Sequence, residues 1–169
     1  DEIRVTGQKF FKSFRYTIPS DPSSCAFFIV LTLLSKNCEL KIKNVNINES
    51  RIGYIKILNK MGAKIKLRNK NNYNGEEIAD IHVKSIENFN RIICPSKLNS
   101  TAIDEFLIIF LVAAKAKGIS KFKDLGEMNK KESKRLDLAV KFLKLIGIKI
   151  KRNKDDIKIH GNPNLSLSK

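Results

Sequence analysis

The sequence has no tryptophan, only two histidines and only three cysteines among its 169 residues. Cys25, Cys38 and Cys94 lie at unrelated spacings and include no CxxC pair. A disulfide framework is therefore disfavoured, and reduced thiols of a cytoplasmic protein are expected. His82 and His160 each lie in a strand-like alternating stretch without a neighbouring cysteine. This shortage of clustered ligands predicts no metal site, and we expect no cofactor.

Long hydrophobic runs are also missing. A membrane-spanning helix needs about 20 consecutive apolar residues, whereas the most apolar stretches, residues 25–34 and 106–114, are much shorter. Both stretches are apolar almost all round and predict helices that are enclosed within the protein. The sequence opens Asp-Glu-Ile-Arg, with no apolar stretch behind a basic start, so we expect neither a signal peptide nor a membrane partner.

Acidic residues are scarce: 17 Asp and Glu stand against 33 Lys and Arg, which gives a formal net charge of +16. Many lysines alternate with isoleucine, as in residues 41–43, 64–66 and 149–151. Period-two alternation places these lysines on the solvent face of half-buried strands. The charge therefore predicts a solvated surface and no nucleic-acid partner. A basic nucleic-acid-binding module and a basic cleft for small anions stay open as alternatives.

The sequence contains an internal repeat with a period of roughly 80 residues. An apolar helix, a lysine-rich strand, a second helix and two further strands follow one another in residues 23–85 and again in residues 86–169. The closing strands fall at 81–85 and 157–160. This order predicts an α/β fold with two repeat units in one globular domain, in which buried helices are wrapped by mixed sheets.

Residues typical of helix ends support these element positions. Asn, Asp, Ser and Thr side chains accept hydrogen bonds from the first turn of a helix, and glycine ends a helix in a left-handed conformation. The sequence therefore predicts four helices, two in each repeat unit. The candidate N-caps are Asp21 (before Pro22), Asn48, Thr101 and Asn129, and the candidate stop residues are Gly62, Gly118 and Gly147.

Four charged residues stand out at the predicted helix starts of the second unit. Asp104 falls in the first turn of the buried helix, and Lys131, Glu132 and Arg135 open the amphipathic helix that follows. Carboxylates suit the positive end of a helix dipole, and both acids lie three residues after a candidate cap, as in a capping box. Spacing alone leaves two interpretations, a structural capping role and a chemical role.

Four short segments form an ordered set of motifs. Residues 21–28 read DPSSCAFF, and residues 48–53 read NESRIG and are followed by MGA at 61–63. Residues 103–105 read IDE, and residues 131–135 read KESKR. This set resembles GD-x-SSAAFF, NPTRTG…MGA, IDE and KESDR, which are motifs of the 5-enolpyruvylshikimate-3-phosphate (EPSP) synthase family. They occur in the family's order across nearly the whole chain.

The resemblance implies an architecture. The family folds from six related strand-and-helix units arranged as two globular halves, each an inside-out barrel half in which sheets surround buried helices. This chain would supply about two of the six units, so it resembles an incomplete part of such an enzyme. Residues 1–22 would be strands that lead in from the missing half. That remaining half would be the chain's partner, and the complete enzyme would be a monomer.

The resemblance also implies an activity. The family transfers the enolpyruvyl group of phosphoenolpyruvate to the 5-hydroxyl of shikimate 3-phosphate and releases phosphate, a step of chorismate and aromatic amino acid biosynthesis. Carried over residue by residue, the implied roles are Asp104 as the base at the 5-hydroxyl, Glu132 as the proton donor to the methylene, Lys131 as a contact to shikimate 3-phosphate and Arg135 as a clamp on phosphoenolpyruvate.

The chemistry explains why such residues are needed. Addition delivers a proton to the methylene and removes one from the hydroxyl, and elimination of phosphate reverses those roles, so two positioned carboxyl groups serve both steps. Both substrates are polyanions whose charge must be offset by cations. Two other functions stay open. One is transfer to UDP-N-acetylglucosamine by the sister family, which shares the repeats but not KES-x-R, and the other is a non-catalytic basic binding module.

The chain departs from the family pattern at three positions. Lys134 replaces the usual Asp of KESDR, Asn129 replaces the usual Arg two residues before the motif lysine, and Ser20 replaces the Gly before Asp21. We hypothesise that the usual Arg and Asp at positions 129 and 134 pair with each other in the family. In that case, their joint replacement by Asn129 and Lys134 would be a neutral rearrangement. The family's other substrate-binding residues lie outside this chain, so we expect the chain alone to bind either substrate poorly and turn over nothing.

Overall fold

The computed structural model describes residues 2–7, 10, 12–130 and 132–166. The order helix, strand, helix, strand, strand occurs twice along the chain, which confirms the predicted α/β organisation. The unit boundaries 23–85 and 86–169 stay a prediction. In chain order the elements are α1 (Pro22–Leu34), β1 (Glu39–Asn46), α2 (Gly53–Lys60), β2 (Lys66–Tyr73), β3 (Glu76–Lys84), β4 (Phe89–Asn90), 3₁₀ turns at Ser96–Leu98 and Ser100–Ala102, α3 (Phe106–Lys115), β5 (Ala116–Phe122), a 3₁₀ turn at Gly126–Asn129, α4 (Arg135–Leu145), β6 (Lys149–Asn153) and β7 (Asp156–Gly161).

The strands form two open sheets. β1, β3 and β2 make a three-stranded sheet in that order, and both of its pairings are antiparallel. The second sheet has the order β4-β5-β7-β6, in which β4 runs parallel to β5 and the other neighbours are antiparallel. Each repeat thus ends in a β-hairpin whose last strand lies in the middle of its three main strands.

Strand register explains the alternating lysines. In the second sheet Lys121 lies opposite Lys158, which lies opposite Lys151. Lys158 and Lys151 are exposed, whereas Ile157 and Ile159 on the same strand are fully buried. Like charges placed directly opposite one another are unfavourable unless water screens them. The lysines therefore occupy the solvated outer face of the sheet, as predicted.

The core lies between the helices and the inner faces of the two sheets. Three fully buried aromatic rings mark its centre, Phe106 and Phe110 on α3 and Phe122 on β5. The Phe110 and Phe122 ring centroids are 5.0 Å apart at an interplanar angle of 66°, and Phe106 meets Phe122 edge-on at 5.9 Å. Such edge-to-face arrangements are favourable beyond simple burial. This cluster joins α3 to the second sheet and holds the start of α3 in place.

The prediction that both apolar helices are enclosed is wrong for α1. Phe27, Phe28 and Leu31 form an exposed apolar face and keep 58%, 60% and 63% of their surface in contact with solvent. An apolar helix is enclosed only where neighbours surround it, and α1 packs mainly against β1, β3 and α3. None of the helices in the described ranges has both the length and the apolar character needed to cross a lipid bilayer.

Several predicted helix ends are confirmed. Asp21 caps α1, because its carboxylate accepts a hydrogen bond from the Ser24 N–H at 2.7 Å while Pro22 occupies the first helical position. Glycines in the left-handed region follow two helices, Gly62 (φ +102) after α2 and Gly147 (φ +81) after α4. Both glycines lie where a helix must stop and turn back towards a strand.

Three other predicted helix ends are wrong. The Asn48 side chain accepts the Ser50 N–H within a local turn ahead of α2. The Thr101 hydroxyl donates to the Leu98 carbonyl inside a 3₁₀ segment, and α3 begins further along the chain. Gly118 (φ +98) lies within β5 and does not end α3. Short polar side chains such as these form hydrogen bonds with the backbone of their own turn when the residues that follow are not helical.

The family resemblance implies that residues 1–22 are strands leading in from another half, and this stays a prediction. In the described part of that segment, only Ser20 forms a bridge, and it pairs in parallel with Val45 of β1. Its N–H donates to the Asn44 carbonyl at 2.8 Å, and its own carbonyl accepts the Asn46 N–H at 3.0 Å. A strand needs a neighbouring strand to satisfy its backbone groups, and among the residues of this segment that the structure describes, β1 provides such pairing only at Ser20.

Candidate active site

The structure brings together two of the predicted site residues. Asp104 and Arg135 are 31 positions apart in sequence, yet the Arg135 Nη1 atom lies 2.6 Å from the Asp104 Oδ1 atom. Asp104 lies in the turn that precedes α3, and Arg135 is the first residue of α4. Their side chains are 48% and 31% exposed. An exposed pair contributes little to stability, so the arginine can exchange its carboxylate partner for an anionic ligand at small cost.

The turn that carries Asp104 is anchored from two sides. The Asn99 side-chain amide donates to the carbonyls of Lys123 and Asp124 at 2.8 and 3.1 Å, which ties the 3₁₀ segment to the end of β5. On the other side, Gly53 at the start of α2 lies against Thr101. A Cβ atom at position 53 would lie 2.9 Å from the Thr101 carbonyl carbon, so only glycine permits this approach.

Arg135 is held in place by the cap of α4. The Asn129 Oδ1 atom accepts the N–H groups of Leu136 and Asp137 at 3.0 and 3.4 Å, and its amide donates to the Asp137 carboxylate at 3.0 Å. Hydrogen bonds from Arg152 and from Asn129 hold the pKa of Asp137 below its usual value. Asn129 therefore caps α4 with its side chain, but the prediction that α4 begins directly after it is wrong, because Lys134 is the residue before the helix.

The other two predicted residues precede α4. Lys131 lies outside the described residues. Glu132 is exposed in the loop after the 3₁₀ turn that ends at Asn129, so the prediction that it lies in the first helical turn is wrong. The helix begins only at Arg135, and Lys134 precedes it in a non-helical conformation. Convergence of the Asp104 and Glu132 carboxyl groups stays a prediction.

A second set of charged residues lies next to Asp104, at the start of α1. The Arg51 Nη2 atom donates to the Asp21 carboxylate at 3.0 Å and to the Ser23 hydroxyl at 3.1 Å. Partial burial raises the pKa of Asp21, but hydrogen bonds from Ser24 and the charge of Arg51 outweigh this and hold the pKa below its usual value. Asp21, Ser23 and Arg51, which all lie in the motif segments, therefore form one contact network.

Sequence reasoning missed Glu105. Its side chain is buried, with 3% of the residue exposed, and it lines a small cavity together with Ser23 and Arg51. Burial is the main cause that raises the pKa of Glu105, and the charge of Asp104 adds to it, while Ser23 and Arg51 oppose the rise without cancelling it. The sequence offered one signal for this residue, since Glu105 directly precedes a strongly apolar helix and could be expected to be buried with it. A carboxyl group in such a position needs polar or charged neighbours to compensate its burial.

A small polar cavity of about 90 Å³ separates the two charged sets. Its lining combines hydroxyl groups, one guanidinium group and two carboxyl groups, which are groups that bind polar, charged molecules. Among the described residues, no group of three or more His, Cys, Asp or Glu side chains is placed to hold a metal ion. The lining residues are Ser23, Ser50, Arg51, Ser100, Thr101, Ile103, Asp104 and Glu105.

Known proteins match this chain over most of its length. A 3-phosphoshikimate 1-carboxyvinyltransferase of Ruthia magnifica subsp. Calyptogena magnifica is 39% identical over 95% of the chain and 37% of the relative. The enzyme of that name from Thermodesulfovibrio yellowstonii is 40% identical over 88% of the chain and 34% of the relative. The solved EPSP synthase of Acinetobacter baumannii superposes with a TM-score of 0.82 at 37% identity, over 86% of the chain and 33% of that protein.

The chain spans about a third of the length of these relatives. A family model described as EPSP synthase (3-phosphoshikimate 1-carboxyvinyltransferase) matches residues 1–169, which is the whole chain. The ordered motifs and the repeated α/β units agree with that match. The chain therefore belongs to the EPSP synthase family.

Proposed function

We propose that this chain forms part of an enzyme that transfers the enolpyruvyl group of phosphoenolpyruvate to the 5-hydroxyl of shikimate 3-phosphate. The observation that carries the proposal is the 2.6 Å contact between Asp104 and Arg135, which joins the IDE motif to the KESKR motif at one edge of the fold. A carboxylate and an arginine at the heads of two adjacent helices suit a reaction that moves protons between polyanions.

The proposed reaction has two steps. In the addition step Asp104 takes the proton of the 5-hydroxyl, whose oxygen bonds to C2 of phosphoenolpyruvate, while Glu132 delivers a proton to the methylene carbon. In the elimination step the C2–phosphate oxygen bond breaks, Glu132 takes back a proton from the methyl group, and Asp104 gives its proton to the departing phosphate. Each carboxyl group regains its starting state at the end of the cycle, so no cofactor is needed.

The cations in this proposal have separate tasks. Arg135 turns from Asp104 to phosphoenolpyruvate, where its planar fork matches a phosphate or carboxylate group. That exchange also frees the Asp104 carboxylate to act as a base. Lys131 contacts shikimate 3-phosphate as a point charge. Two polyanionic substrates need more positive charge than these two residues provide, so we assign the remaining contacts to the rest of the longer enzyme.

The wider setting belongs to the same proposal. The chain works with the remaining half of the enzyme as its partner, the complete enzyme is a cytoplasmic monomer, and nucleic acid and membranes are not partners. The outward lysine rows support this assignment, because they are spread over the solvated sheet face. The chain alone is expected to turn over nothing.

A segment exchange tests the proposed function. The 169 residues replace the matching third of the Acinetobacter baumannii enzyme, and the chimera is assayed for phosphate release from phosphoenolpyruvate with shikimate 3-phosphate or UDP-N-acetylglucosamine as acceptor. We expect turnover with shikimate 3-phosphate alone. Asp104→Asn should lower kcat by about 10²- to 10⁴-fold, the usual contribution of a general base, whereas Asp155→Asn in the turn between β6 and β7 should leave it unchanged.

Two outcomes of this exchange would contradict the proposal. The first is a chimera that unfolds in one cooperative transition but turns over neither acceptor, since the grafted segment would then be folded and inactive. The second is an active chimera in which Asp104→Asn and Asp155→Asn behave alike. Turnover with UDP-N-acetylglucosamine alone would assign the chain to the sister activity.

A further inference from the structure

We propose that Arg152 and Asp137 are positioning residues for Arg135, because their ion pair holds the Asn129 side chain that caps α4. This inference deepens the proposed function and rests on it for the catalytic meaning of Arg135. Arg152 lies on β6, and Asp137 lies in the first turn of α4. Neither residue is assigned a contact with substrate, so their effect must pass through the start of the helix.

Asp137 is the point where two hydrogen bonds meet. Its Oδ1 atom accepts one from the Asn129 amide at 3.0 Å and one from the Arg152 Nη1 atom at 2.5 Å. The two ends of an amide group have opposite hydrogen-bonding character, so a carboxylate beside the amide nitrogen leaves the amide oxygen to face the helix. That oxygen accepts the Leu136 and Asp137 N–H groups at 3.0 and 3.4 Å. Asp137 thus orients the group that caps its own helix.

Arg152 is fixed to the β6–β7 hairpin through both its backbone and its side chain. The residue lies opposite Ile157 of β7, which is fully buried, and its Nε atom donates to the Lys154 carbonyl at 2.7 Å. A guanidinium group presents several donors in one rigid plane, so Nη1 binds Asp137 while Nε binds the hairpin. The ion pair therefore ties the head of α4 to the second sheet.

The same hairpin also holds the chain ahead of the cap. The Asp156 carboxylate at the start of β7 accepts the Asp124 N–H at 3.1 Å, shortly before the 3₁₀ turn that ends at Asn129. The hairpin therefore contacts the chain on both sides of residues 130–134, which include two of the predicted site residues. Holding both ends of a short segment restricts the backbone conformations open to it, so the hairpin limits where Arg135 can lie.

The partial exposure of the ion pair indicates a role in orientation more than in stability. The Arg152 and Asp137 side chains are 29% and 43% exposed, and exposed ion pairs contribute little to the free energy of unfolding. Charge-assisted hydrogen bonds are nevertheless short and directional, and members of one network restrict one another. Loss of the pair should therefore displace Arg135 in a chain that stays folded.

The test uses a double-mutant cycle with a matched control. Arg152→Ala and Asp137→Ala each remove one member of the pair, and the double variant removes both. Arg68→Ala is the control, because Arg68 is an exposed arginine on β2 of the other sheet. The first readout is the side-chain ¹⁵N–H spectrum of Arg135 in the 169-residue chain, which reports the contact with Asp104 without any need for activity.

We expect the Arg135 guanidinium signal to move in both single variants towards the position it has in an Asp104→Asn chain. In the Arg68→Ala control the signal should stay in place. Because the two members of the pair act as a unit, the double variant should move the signal no further than Asp137→Ala does.

The second readout is the kinetics of the active chimera. Arg152→Ala should raise KM for phosphoenolpyruvate about 10-fold, less than the cost of about 10²-fold for a misplacement of about 1 Å, because the Asn129 side chain is still present. KM for shikimate 3-phosphate should stay unchanged, because Arg135 is assigned to phosphoenolpyruvate alone. A purely structural role would lower the amount of folded protein and leave both KM values unchanged.

The outcomes separate this inference from the proposed function. An Arg135 signal that stays in place in Arg152→Ala, or that moves equally in Arg68→Ala, overturns the positioning role, as does an equal rise of both KM values. If Asp137→Ala does not fold, Arg152→Ala gives the same decision, because it leaves the sequence of α4 intact. A displaced Arg135 signal together with a folded but inactive parent chimera keeps the positioning role and refutes the proposed transfer reaction.

Discussion

Replacing Asn129 by alanine tests how the start of α4 is held. The asparagine oxygen accepts two N–H groups of the first helical turn, from Leu136 at 3.0 Å and Asp137 at 3.4 Å. Alanine leaves both donors without that partner while it preserves the backbone. Loss of an asparagine cap costs about 1 kcal/mol, within a range of about 0.5–2 kcal/mol.

We expect a free energy of unfolding about 1 kcal/mol below that of the parent chain. For a chain of this size, such a change lowers Tm by about 2–4 °C. Urea denaturation followed by circular dichroism at 222 nm measures the first quantity, and a thermal scan measures the second. Asn88→Ala is the matched control, because Asn88 is exposed in the segment before β4, where substitutions change stability by at most about 0.5 kcal/mol.

The same variant should weaken the contact at the candidate site, because fraying of the first turn releases Arg135 from Asp104. The side-chain ¹⁵N signal of Arg135 should therefore move towards the position it has in an Asp104→Asn chain. An Asn129→Ala chain that is as stable as the parent would refute the cap, and so would a loss matched by Asn88→Ala. An unmoved Arg135 signal would refute the link between the cap and the site.

Two further predictions concern the network around Asp104. Gly53→Ala should lower the free energy of unfolding by about 1–3 kcal/mol, the usual cost of overpacking, because the new methyl group meets the Thr101 backbone. The control is Gly7→Ala, because no atom lies within 4 Å of a methyl group at that position. Urea curves that coincide for the two variants would contradict the prediction. The pKa of Asp21 is lower in the folded protein than in the unfolded chain, where it is about 3.9. The ionised carboxylate therefore stabilises the fold at pH values above the unfolded pKa. This stabilisation is lost as the pH falls through the folded pKa. The urea midpoint of Asp21→Asn should therefore be lower than that of the parent at neutral pH, and the two midpoints should converge as the pH falls below about 4. Midpoints that stay equally far apart below that pH would show that Asp21 does not contribute.

Local patterns predicted most of the fold. The alternation around Lys149 and Lys151 indicates a strand with one solvated face, and the register shows these lysines on the outside. Asp21 before Pro22 indicates a helix start, and the structure has it. Such features depend on residues a few positions apart, so they are visible in the sequence. The errors at Asn48, Thr101 and Gly118 arose where a turn or strand replaced the expected helix end.

By itself the sequence determined the order of helices and strands, the solvent-facing lysines and the set of family motifs, because each depends on short-range periodicity or on the identity of neighbouring residues. Only the tertiary structure decided which side chains meet. The contact between Asp104 and Arg135 spans 31 positions, and the cavity lined by both Ser23 and Glu105 requires α1 and α3 to pack side by side. The exposed face of α1 at Phe27 and Phe28 was likewise decided by its neighbours, since an apolar side chain does not specify what will cover it.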